Sequence, residues 1–172
     1  RQTFELKNVP FGEREINQQI LGLKGRLYGD IVYGAWPQVA LGIQYKELEN
    51  EVIASAVGAE NTNSGTDIYL AASKAHLGAL MGYNLVWDLT LRATKANQFG
   101  LLGYGGDNND SYEMMVEASL ATLFSRQLAL GIEFRQKPDN LSALEEEDAF
   151  DIFLAYIPNK NFNITVAWTD LG

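Results

Sequence analysis

The chain has 172 residues, a formal charge of −9 and a pI near 4.5, which leaves it without the basic footprint of a nucleic-acid-binding protein. With no cysteine and one histidine, it has neither a disulfide framework nor a thiolate metal site. Hydrophobic residues make up 47%, yet no apolar run is long enough for a transmembrane helix, and the mean hydropathy of −0.13 fits a soluble protein and a membrane barrel equally, because only every second residue of a barrel strand meets lipid.

Residue order separates these cases. Period-two alternation, the signature of half-buried strands, runs through the chain. Residues 1–7 open the series, with Phe4 and Leu6 on one face. Next, Leu21, Leu23 and Leu27 share a face with Gly25, opposite Lys24, Arg26 and Tyr28. Residues 37–46 set Val39, Leu41, Ile43 and Tyr45 against Gln38, Ala40, Gly42 and Gln44. Residues 67–73 and 85–95 continue the pattern, the latter with Trp87, Leu89, Leu91 and Ala93 opposing Asp88, Thr90, Arg92 and Thr94. In the second half, Met114, Val116, Ala118, Leu120 and Phe124 oppose Glu113, Glu117, Ser119 and Ala121. Then Leu128, Leu130, Ile132 and Phe134 oppose Gly131, Glu133 and Arg135. Phe150, Ile152, Leu154 and Tyr156 oppose Asp151, Phe153 and Ala155, and Phe162, Ile164, Val166 and Trp168 oppose Asn163, Thr165, Ala167 and Thr169. This gives about nine strands of roughly 7–11 residues, the length that crosses a bilayer when tilted.

The connections fall at residues 8–17, 31–36, 47–64, 75–83, 96–111, 125–126, 136–147 and 158–161. Longer and shorter ones alternate, as in an up-and-down transmembrane β-barrel with short periplasmic turns and longer outer loops. The expected fold is therefore an all-β, up-and-down antiparallel transmembrane barrel, a single domain over residues 1–172. Both ends read as cut from a longer barrel.

Two observations place the apolar face outside. The polar face mixes small residues, among them Gly22, Ala40, Gly42, Ala71, Gly131 and Ala167, with charges of both signs, which suits a crowded barrel interior. The apolar face carries aromatics at strand ends: Trp87, Phe124, Tyr156 and Phe162 at one rim, and Tyr45, Phe134, Phe150 and Trp168 at the other. Two such girdles belong at the membrane–water interfaces. The competing architecture is a soluble lipocalin-like barrel, which has about eight strands.

Several stretches resemble one family. They are RLYGD (residues 26–30), PQVALGIQYK (37–46), SGTD (64–67), LRATKANQFGLLGYGGD (91–107), RQKPDNLS (135–142), PNK (158–160) and the closing DLG. The family is domain-of-unknown-function family 3034, a group of uncharacterised outer-membrane β-barrel proteins, and the resemblance spans nearly the whole chain. It implies a secreted bacterial outer-membrane protein with strands before and after this chain, making about twelve, an even number as barrel closure favours. It implies no activity.

The candidate lumen residues are Lys24, Arg26, Asp88, Arg92, Glu113, Glu117, Glu133, Arg135 and Asp151. They can line a charge-selective pore or neutralise one another and fill the barrel. The 47–64 connection places Leu48, Val52, Ile53, Ala56 and Val57 at helical spacing, so a short amphipathic helix is expected, folded into the lumen or packed on the mouth. The acidic run at residues 105–110 can hold a hard cation or simply turn the chain; no metal or cofactor is expected. His76 stands without a marked nucleophile, so no enzyme is expected. The partners are then a lipid bilayer and small solutes. A passive channel is the leading reading, and a closed scaffold presenting acidic loops is the second.

Overall fold

The computed structural model describes residues 2–6, 14–49 and 51–170, with side chains from Ile16 onward. The faces taken by Phe4 and Leu6, and the connection over residues 8–13, lie outside the described residues. Nine antiparallel strands follow one another in a single sheet ordered as in the sequence. They are β1 (Gln2–Leu6), β2 (Arg14–Tyr28), β3 (Gln38–Glu49), β4 (Ser64–Leu80) and β5 (Tyr83–Thr94), then β6 (Glu113–Leu123), β7 (Leu128–Arg135), β8 (Ala149–Asn159) and β9 (Phe162–Asp170). No helix is long and apolar enough to cross a membrane among the described residues.

Two strands outrun their predicted bounds. β2 begins at Arg14 rather than beyond residue 17, and β4 continues to Leu80, so the connection placed at 75–83 shrinks to Met81 and Gly82. Both turn residues have positive φ, 51° and 89°, as a two-residue type I′ hairpin requires. The register slip between His76 and Leu80, with Gly78 at φ 66°, breaks the alternation there. From β3 onward long and short connections alternate, but the β2–β3 connection, expected to be short, outruns the one between β1 and β2.

The apolar face of the sheet is the more exposed one, and the centre of the charged face is enclosed. Leu130, Ile152 and Val166 are 41%, 43% and 67% exposed, while the side chains of Arg92 and Asp67 are 14% and 1% exposed. A single residue demonstrates the curl. Phe99 accepts hydrogen bonds at its carbonyl from Gln18 of β2 and Lys46 of β3, and its ring lies 5.0 Å from the Arg135 guanidinium of β7. Side chains stand roughly perpendicular to a sheet, and in a flat one β2 and β7 would be about 24 Å apart. Walls meeting at one residue must bend toward each other, with the polar face concave.

Small residues on that face make room for rings from the neighbouring strand. Gly42 pairs with Tyr69 and Gly131 with Phe153, and each ring lies directly over its glycine. A Cβ at residue 131 would stand 2.3 Å from the Phe153 ring and 2.9 Å from the Leu120 carbonyl. Gly131→Val is expected to destabilise by about 1–3 kcal/mol through overpacking, read as a lowered urea midpoint; an unchanged midpoint would mean that the ring is free to leave.

Candidate functional site on the concave face

Strand register builds one charged network. Arg92 on β5 donates from Nε to Glu117 Oε1 (2.6 Å) and from its second terminal nitrogen to Glu117 Oε2 (3.1 Å), a two-pronged grip on β6. Its remaining nitrogen reaches Gln44 (2.9 Å) and Asp67 (3.4 Å). Asp67 is fully buried; Lys46 at 2.7 Å and Thr94 at 2.6 Å supply its other partners. Glu117 also faces Arg135 at 3.5 Å. The Tyr69 ring, held over Gly42, receives the Arg92 guanidinium at 4.7 Å and Lys24 at 5.7 Å. The network therefore spans β2 to β7, and its buried ions are paired, as low-dielectric surroundings demand.

A second row crosses the same face toward the short turns. Ser73, Asp88, Ser119, Glu133, Asp151 and Thr169 stand side by side on successive strands. Asp88 accepts from Ser73 and, at 3.1 Å, from Thr90. Glu133 and Asp151 are cross-strand neighbours, an arrangement that places like charges together. With Phe99, Glu117 and Arg135, the row from Asp88 to Thr169 lines a cleft of about 220 Å³.

Of the nine residues singled out from sequence, six meet here: Asp88, Arg92, Glu117, Glu133, Arg135 and Asp151. Lys24, exposed on β2, reaches the network only through the Tyr69 ring, and Arg26 stands exposed on the same strand, away from the acidic row. Glu113 sits at the rim, where it accepts from Asn109 (2.6 Å). Sequence reasoning overlooked Asp67, Lys46, Gln44 and Tyr69, although Asp67, Gln44 and Tyr69 lie on the polar side of the alternation; the pairing of β3, β4 and β5 brings them to Arg92. The aromatics Tyr45, Phe124, Phe134, Phe150, Tyr156, Phe162 and Trp168 are exposed on the convex face. Trp87 is half-buried and donates its indole N–H to His76 at 3.0 Å.

The inward element is the 95–112 connection rather than the 47–64 one. The latter forms a one-turn helix, α1 (Val52–Ala56), whose Ala54 packs with Ile16 and Leu48 at the long-loop end, against Ile53, Ala59 and Leu101. Its inward side is Ile53 and Ala54 rather than Val52 and Ala56, because the helix starts only at Val52. The turn at Asn97–Gly100 instead dips across the concavity, with Gln98 and Phe99 at φ 43° and 61°. Left-handed backbone at two non-glycine residues costs of order 1–3 kcal/mol each and persists only where neighbours impose it.

Those neighbours come largely from the 136–148 connection. Asn140, fully buried, donates to the Asn97 side-chain oxygen at 2.8 Å, and Asn97 donates to the Gly105 carbonyl at 2.8 Å. Lys137 reaches the Gln98 side chain (3.3 Å), while the Glu146 carboxylate accepts the Gln98 backbone N–H at 2.8 and 3.1 Å. Burial lifts the Glu146 carboxyl to about 7, against the lowering effect of the Gln98 N–H and Lys137. In the 105–110 run, Asp107 accepts from Ser142 and is held below the ordinary carboxylate range by it, and Asp110 pairs with Lys95 at 2.9 Å. These two carboxylates brace the cap.

Compared with known sequences, the profile of the family described as "protein of unknown function (DUF3034)" matches residues 1–172. The chain belongs to the DUF3034 family. No curated protein and no solved structure matches it. Two of the stretches that carry the DUF3034 resemblance, NQFG and KPDNLS, now have a physical role: the first is the inward turn and the second packs upon it.

Proposed function

We propose that the chain supplies nine strands of a closed β-barrel of about twelve in a bacterial outer membrane, a passive channel for small solutes narrowed by the inward turn. One observation carries this reading: the sheet exposes its apolar face, while the ion network of Lys46, Asp67, Arg92 and Glu117 is enclosed on the other, the inverse of what water selects. Among the residues whose side chains are described, the charged ones on the convex face are Glu47, Glu49 and Asp170 at strand ends, and Lys74, which is buried within β4 against the backbone carbonyls of Asp30 and Trp36. The 11 residues of β6, tilted as barrel strands are, rise about 25 Å, the height of an outer-membrane apolar band. Lipid leaves no partner for open edges, so β1 and β9 require further strands to complete the closure. Solute passage would follow the charged concave face beside Phe99, where the acidic row and Arg135 replace part of a solute's hydration.

The wall-to-wall turn also favours a second reading, a barrel closed by its own loops that presents their acidic surface to a partner. Planar bilayers separate the two. The full-length protein is expected to give stepwise single-channel currents, enlarged severalfold by Phe99→Ala. Silent bilayers holding correctly folded protein would end the channel reading and leave the scaffold.

A further inference from the structure

We infer that the Asn97–Gly100 turn is a movable gate and that Glu146 is its latch, docking the turn across the concave face in acid and releasing it as pH rises to neutral. Only the consequence for conductance rests on the channel reading; docking is a property of the two loops.

Three features lead to this assignment. The tip of the turn is fastened by single contacts from several elements: Gln18 and Lys46 on the Phe99 carbonyl, Arg135 and Lys137 against the Phe99 ring, Lys137 on the Gln98 side chain, and Glu146 on the Gln98 N–H, with Asn140 on Asn97 at its base. Its backbone is loaded at Gln98 and Phe99, both held left-handed, so an undocked conformation relieves strain, while Gly100, Gly103 and Gly105 take positive φ at no cost. Glycines in this number supply hinge positions. Finally, the latch is a carboxyl group that docking removes from water. Glu146 is 7% exposed and holds the turn through a neutral N–H.

The charges around the latch are mixed. From its own connection, Lys137 attracts its ionised form and Asp139 repels it, while Asp139 also accepts the Glu146 backbone N–H at 3.3 Å. Asp148 accepts the Lys137 backbone N–H at 3.2 Å. From the facing connection, the contact is the Gln98 N–H.

The sign follows from linkage. When docked, the carboxyl titrates at about 7; released into water it returns to its ordinary 4.5. The docked state therefore binds the proton more tightly. Its advantage is complete below the released value and is lost as pH rises through the docked one. Between those limits the docking equilibrium shifts on the order of 10²-fold.

This chain has no cysteine, so Leu102→Cys and Ala143→Cys introduce its two sites for spin labels, one on each connection, with any cysteine elsewhere in the full-length protein replaced by serine. In lipid vesicles, the full-length labelled protein is expected to show one short inter-label distance at pH 5. A longer population should grow as pH rises from 5 and level off above about 7. Glu146→Gln, which keeps an acceptor for the Gln98 N–H but cannot ionise, is expected to hold the short distance throughout. Lys137→Gln should move the transition to higher pH, because it removes the cation that favours the ionised form. A parent whose distances ignore pH, or a Glu146→Gln variant that switches like the parent, overturns the inference. Conductance at matched pH distinguishes the two proposals: distances that switch in silent bilayers sink the channel and keep the gate. Steady conductance without any change of distance does the reverse.

Discussion

Arg92→Met is expected to lower stability by about 3–5 kcal/mol, the loss that follows when one partner of a buried ion pair is deleted. The loss is unequal among its partners. Asp67 keeps Lys46 at 2.7 Å and Thr94 at 2.6 Å, and forfeits only a contact of 3.4 Å. Glu117 forfeits both prongs and keeps Arg135 at 3.5 Å. Glu117 is therefore the carboxylate left under-compensated in a low-dielectric setting. Pairing the change with Glu117→Met should recover most of the loss, since replacing both members of a buried pair by apolar groups of similar volume is often near neutral. Urea unfolding of the four members of this cycle measures the coupling. Additive single changes, or an Arg92→Met variant within about 1 kcal/mol of the parent, would show that Glu117 does not depend on Arg92.

The strands were legible from sequence because a curled sheet with one apolar face writes its pleat directly into the residue order. Val39, Leu41, Ile43 and Tyr45 needed no partner to declare their side. The alternation failed where the pleat itself changes. Around Gly78 a register slip carries β4 past the point where its pattern stops, and residues 14–19 extend β2 in a polar stretch that no apolar stripe marks. The charged site was legible as a stripe but not as a network. Asp67 and Arg92 are neighbours because β4 and β5 pair in one register, and a single sequence does not state that register. The inward turn was harder still. NQFG contains one glycine, and nothing in its composition announces that Gln98 and Phe99 adopt left-handed backbone. That conformation is imposed by Lys46 of β3 and by Asn140 and Glu146 of the 136–148 connection, all far along the chain.

Adjacent residues on β6 offer a direct test of which face meets lipid. Leu120 is 42% exposed on the convex side, in register with Trp87 and Ile132. Ser119 points the other way, between Asp88 and Glu133. Leu120→Arg is expected to cost about 2–4 kcal/mol in a phospholipid bilayer if it lies near the midplane, and less toward either rim, because the guanidinium must be solvated inside hydrocarbon. Ser119→Arg sets the same group between two carboxylates and is expected to be neutral or mildly stabilising, with Glu133 relieved of part of its repulsion from Asp151. Side-chain size is identical in the two variants, so their difference isolates the surroundings. In a water-soluble molecule the order reverses: Leu120→Arg becomes harmless at an exposed site, whereas Ser119→Arg meets the crowded interior. Equilibrium unfolding from vesicles reads both values. Equal costs, or a larger one at residue 119, would remove the membrane assignment and the channel with it.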